Sequence, residues 1–106
     1  MPGPTYVTVP SGTTASSAFW LERSDRFLTI EVPSYGTASN VVLQWTQASG
    51  TAPFSPLFRD DGSGAPHAVF SGTAGGWGAL RPPTPYGRVT LGAAQTAPMS
   101  FTLLIR

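Results

Sequence analysis

The chain has no lysine, no cysteine, one histidine and five carboxylates among 106 residues. Charged residues make up 10% of it, against about 25% in an ordinary soluble domain. Each shortage removes a class of chemistry. Without cysteine there is neither a disulfide nor a thiolate nucleophile. Zinc needs about four N or S ligands, or three in a catalytic site, and a lone His67 cannot supply them. The six basic residues are all arginine (Arg23, Arg26, Arg59, Arg81, Arg88 and Arg106) and lie dispersed along the chain, so the basic stripe that nucleic acid requires does not form. No apolar run approaches the roughly 20 residues of a membrane span. Met1-Pro2-Gly3-Pro4 has neither the basic nor the apolar region of a signal peptide, and the expectation is a chain made without export. No cofactor, nucleic acid or membrane is expected as a partner.

What is present is a series of short alternating runs punctuated by glycine and proline. Val7 and Val9 share one face of a first run, and Pro10-Ser11-Gly12 ends it. From Ser17 to Leu21, Phe19 and Leu21 oppose Ala18 and Trp20. Residues Glu22 to Arg26 form a charged connection to a strand from Phe27 to Val32, with Leu28, Ile30 and Val32 inward. Val41 to Gln47 is the clearest strand, with Val41, Leu43 and Trp45 alternating with Val42, Gln44 and Thr46. Prolines at 53 and 56 mark Phe54 to Arg59 as an edge or bulged strand. Ala68-Val69-Phe70, then Arg88 to Leu91 with Val89 and Leu91 inward, and Ser100 to Arg106 with Phe101, Leu103 and Ile105 on one face complete the set. The stretch from Gly72 to Gly78 reads as a flexible or tightly turning loop. No helical period persists anywhere. About seven to nine short strands, with turn signals roughly every 8–12 residues, predict a single all-β sandwich of jelly-roll or immunoglobulin-like type. The expected division is an extended arm over 1–5, with proline on both sides of Gly3, and one domain over 6–106.

The few reactive groups have plain structural explanations. A Ser–His–Asp triad would need His67, yet no Gly-x-Ser-x-Gly elbow places a serine for it. Asp60-Asp61-Gly62 is a turn signal without the further carboxylates of a calcium loop. Glu22 and Asp25 sit beside Arg23 and Arg26, where surface pairing accounts for them better than a glycosidase pair with Glu31 would. Gly72 to Gly78 lacks the Gly-Lys-Ser/Thr ending of a phosphate loop and runs into Arg81-Pro82-Pro83. The inventory points away from an enzyme.

Aromatics are the more informative set. Trp45 and Phe101 fall on inward registers, whereas Trp20, Tyr35, Phe54, Trp77 and Tyr86 lie off them or in loops. Aromatic and arginine side chains on a charge-poor surface are the composition of a protein interface. The same rings could instead be partly core, or a platform for sugar rings. The interface expected from the sequence comprises Pro2, Pro4, Trp20, Phe54, Trp77, Arg81 and Tyr86. A formal charge of +1 favours association further, because colloidal repulsion is weak.

An order of phrases carries a resemblance. Val7 to Gly12 (Val-Thr-Val-Pro-Ser-Gly) precedes Arg26-Phe27-Leu28-Thr29-Ile30-Glu31-Val32-Pro33-Ser34, then Asn40-Val41-Val42-Leu43-Gln44-Trp45. Pro56-Leu57-Phe58-Arg59-Asp60-Asp61-Gly62-Ser63 and the terminal Phe101-Thr102-Leu103-Leu104-Ile105-Arg106 follow. In these the chain resembles small β-rich virion structural proteins of tailed bacteriophages and prophages; Gly72 to Pro85 has no counterpart. The resemblance implies a capsid cement or decoration protein on the capsid exterior, assembled in the host cytoplasm. Its implied partners are the major capsid protein and further copies of itself, as a homotrimer. It implies no catalytic residue. A neck, tail or baseplate component, and a glycan-binding module displayed for host adsorption, are the alternatives.

Overall fold

A computed structural model describes residues 4–21, 26–34, 36, 39–47, 53–57, 62–64, 66, 68–72 and 75–105, the side chains of 69–72 excepted. Pro2, Glu22, Asp25, Tyr35, Asp60, Asp61 and His67 therefore lie outside the described residues. Among the described residues nine strands run in the order β1 (Thr5–Val9), β2 (Phe19–Trp20), β3 (Leu28–Val32), β4 (Ser39–Thr46), β5 (Ser55–Pro56), β6 (Ala68–Gly72), β7 (Gly76–Leu80), β8 (Tyr86–Leu91) and β9 (Met99–Ile105).

The first sheet has the order β1-β9-β3-β7. The second has β2-β8-β4, with β5 and β6 both paired to the far side of β4. All ladders are antiparallel. From β1 to β4, and again from β6 to β9, each successive strand crosses to the other sheet. That alternation is the jelly roll, eight principal strands in two facing sheets, with β5 a short addition between β4 and β6. An immunoglobulin-type sandwich would pair its last two strands in one sheet, whereas here β8 and β9 lie in different sheets.

Period-two alternation fills the space between the sheets. Phe101, Leu28, Ile30, Leu103 and Val9 come inward from the first sheet, Val41 and Val89 from the second, each less than 2% exposed. Phe19 meets Trp45 edge-on, centroids 5.9 Å apart at 90°. Gly87, opposite Trp45 on the neighbouring strand, makes room for that indole. A Cβ there would lie 2.8 Å from two indole carbons and 2.9 Å from Phe19.

The structure corrects the reading of Gly72 to Gly78 as a loop: Gly76 to Leu80 form β7, laddered along all five residues of β3. Strand pairing uses backbone groups, so it does not need the side-chain alternation that glycine lacks. Gly76 and Gly78 oppose Val32 and Ile30, and those aliphatics fill the space themselves. Leu80, opposite Leu28, is the buried anchor of the strand. The approach to β7 is tight, since a Cβ on Gly75 would lie 2.5 Å from the Val32 carbonyl oxygen. At the amino end, Thr5, the last residue of the expected arm, is already paired with Leu103, and Pro4 precedes it exposed. Of the strand expected over Phe54 to Arg59, the described residues 54–57 include the short strand Ser55–Pro56, and Pro56 has no amide hydrogen to donate to a ladder.

Candidate functional site

The outward registers of the two sheets carry different constellations. On the second sheet, Trp20 and Tyr86 are direct cross-strand partners. Their rings stack, with centroids 6.5 Å apart and planes 22° apart. Two residues along β8 on the same side, Arg88 opposes Gln44, and its Nε donates to Gln44 Oε1 at 2.8 Å. The guanidinium carbon also lies 4.6 Å from the centre of the Phe54 ring. A cation over an aromatic face gains about 0.5–2 kcal/mol according to how far it is desolvated. Among the described residues, this amide and this ring are the partners of the Arg88 side chain.

Hydroxyls fasten the strands beneath. Thr84 Oγ1 reaches the carbonyls of Thr46 at 2.7 Å and Tyr86 at 3.1 Å, and Thr90 Oγ1 donates to the Val42 carbonyl at 2.7 Å. Trp20 remains 55% exposed, while Tyr86, Arg88 and Phe54 are half-buried. The result is a fixed aromatic surface with one cation at its centre.

On the first sheet, the ladder registers place Tyr6, Thr102, Glu31 and Trp77 in one row across all four strands. Its ends are the most exposed large hydrophobic side chains among the described residues, Tyr6 at 72% and Trp77 at 58%. Neither ring is packed on another described ring; between them Glu31 is exposed and Thr102 half-buried.

The interface expected from the sequence is therefore divided. Trp20, Phe54 and Tyr86 come together around Arg88. Trp77 lies on the opposite face. Arg81 sits at a strand end, its guanidinium 5.0 Å from the ring centre of exposed Phe27, and Pro4 stands ahead of β1. Tyr6, Phe27, Gln44 and Arg88 were missed as site residues. For Tyr6 and Arg88 the signal was present, since each alternates with an inward valine, Val7 or Val89.

Near the β4–β5 end, a cleft of about 380 Å³ is bordered by Trp45, Pro56, Leu57 and Thr84, and the buried Trp45 Nε1 has no hydrogen-bond partner among the described residues. No group of three or more His, Cys, Asp or Glu side chains is placed to hold a metal ion among the described residues. Glu31, the carboxylate that is described, is exposed. These surfaces are equipped to stack, to hydrogen-bond and to hold. Comparison of the chain with protein-family models, with curated proteins and with solved structures returned no match.

Proposed function

We propose that the chain is a virion structural protein of a tailed bacteriophage, a capsid cement or decoration protein that binds the outer surface of the major capsid protein and stabilises the shell. The observation that carries this reading is the cluster of Trp20, Tyr86, Arg88 and Phe54, already assembled on the outer face of the β2-β8-β4 sheet. Trp, Tyr and Arg dominate the energetics of protein interfaces, and groups held in place before binding lose less entropy on docking. Arg88, oriented by Gln44 and Phe54, brings a positive charge that suits a carboxylate presented by the capsid subunit. The resemblance to small phage structural proteins supports the same reading, as does a jelly roll, an architecture used in viral capsid domains.

A shell repeats its binding site many times. A homotrimer at a local threefold position spreads attachment over several subunits, so each contact can stay modest while the whole is tight. Purified virions should contain the chain in stoichiometry matched to capsomers, and an image of the particle should place it on the capsid exterior. Particles lacking it should burst at a lower temperature. A handful of copies per virion would assign it instead to the neck, tail or baseplate, and unchanged particle stability would end the cementing claim.

A further inference from the structure

We propose that the outer face of the β1-β9-β3-β7 sheet is a binding platform for a neutral oligosaccharide, independent of the docking face on the other sheet. The row Tyr6–Thr102–Glu31–Trp77 crosses the whole sheet. With strands about 4.7–4.9 Å apart, its aromatic ends are separated by about 14 Å. That span exceeds a single pyranose and matches a short run of linked rings.

The distribution of polarity identifies the ligand class. A protein interface has an apolar centre and a polar rim; this row has aromatics at its rims and a carboxylate and a hydroxyl at its centre. The side chains of Glu31 and Thr102 make no hydrogen bond or ion pair among the described residues. A sugar chain is the complementary object: ring C–H faces lie on Tyr6 and Trp77, and hydroxyls between them reach Glu31 and Thr102. The carboxylate selects neutral sugars over acidic ones, because an incoming uronate or sulfate would meet a like charge.

The flanking rows keep the platform open. On one side Thr29 lies between Leu104 and Ala79, and its hydroxyl is turned to the Leu104 carbonyl at 3.4 Å. On the other, Thr8 and Ser100 share a hydrogen bond at 3.1 Å. Strand twist of about 20–25° per step rotates one aromatic end relative to the other by roughly 60–75° across the row. A free chain whose successive rings turn fits that surface better than a flat crystalline one.

The three tryptophans report on three regions: Trp77 on this platform, Trp20 on the docking face and Trp45 in the core. Titrating the ¹⁵N-labelled protein with cellohexaose, chitohexaose, maltohexaose and an oligogalacturonate should shift the Trp77 indole resonance with at least one neutral chain, leaving Trp20 and Trp45 in place. Trp77→Ala and Tyr6→Ala should each weaken that binding about tenfold or more, with the Trp45 resonance unmoved as proof of folding. Glu31→Gln should narrow the preference for neutral over acidic chains. The proposal is overturned if no neutral chain at millimolar concentration moves Trp77, or if Trp77→Ala retains full affinity. It is equally overturned if sedimentation shows self-association that Trp77→Ala abolishes, which would make this face a contact between copies. None of these results bears on the attachment of the other face to particles.

Discussion

The two outer faces of this jelly roll carry similar residues in opposite arrangements. On the β2-β8-β4 face, Trp20 rests on Tyr86, and Arg88 is held between Gln44 and Phe54, so each ring or cation has an intramolecular neighbour. On the β1-β9-β3-β7 face, Tyr6 and Trp77 stand at the two edge strands with Thr102 and Glu31 between them. The groups of the first face rest on one another before any partner arrives, which suits a broad contact. The second keeps its two rings apart, with a carboxylate and a hydroxyl in the row between them, which suits a slender ligand rich in hydroxyls. Composition alone does not distinguish them; the order of strands in each sheet does.

Both faces stand on one core, and the largest effect tests that. Phe101 is fully buried between the sheets, and Phe101→Ala should cost about 3–5 kcal/mol through lost contact and a residual cavity. In urea, the Trp20 and Trp77 resonances of this variant should disappear at the same, lowered midpoint. Separate midpoints would mean that the sheets unfold independently, and the two faces would then belong to two units.

Next comes attachment. On the capsid attachment proposed for the β2-β8-β4 face, Trp20→Ala should weaken binding by about 2 kcal/mol or more, some thirtyfold, as loss of a hot-spot ring does, whereas Trp77→Ala should leave it unchanged. Equal losses from both variants in a particle-binding assay would erase the division of labour.

How far the pattern was readable depends on where the information lies. Leu28, Ile30 and Val32, or Val41, Leu43 and Trp45, announce their inward face through local alternation, and the core follows from such runs. β7 does not announce itself, because Gly76 and Gly78 have no side chains to alternate and the strand exists through its ladder to β3. The meeting of Phe54 with Arg88, or the alignment of Tyr6 with Trp77, depends on registers between segments distant in sequence. Nothing local encodes those relations. Trp20, Phe54 and Tyr86 could be selected as surface aromatics, but their convergence on a single arginine required the strand order.

A substitution beneath one face sharpens the contrast at lower cost. Gly87→Ala would place a methyl group 2.8 Å from the Trp45 ring and 2.9 Å from Phe19, so one of them must move. Overpacking of this kind costs about 1–3 kcal/mol. Because Gly87 pairs with Phe19 and Trp45, the disturbance should reach Trp20 and Tyr86 and weaken capsid binding. The Trp77 resonance should stay where it is. A shift at Trp77 as large as that at Trp20 would show the faces to be coupled through the core.

The smallest effect concerns the hydroxyls that flank the open row. Thr8 and Ser100 pair across β1 and β9 with an exposed hydrogen bond of 3.1 Å, and water can replace either partner. Thr8→Ala should therefore change stability by no more than about 0.5 kcal/mol, measured as a urea midpoint at constant slope. The hydroxyls of this face are then available to a ligand at little cost to the fold. A loss above about 1 kcal/mol would mean that the Thr8–Ser100 pair helps hold β1 to β9. Internal contacts would then occupy the open face as fully as they do its opposite, and the difference between the two would rest on the Tyr6–Trp77 row alone.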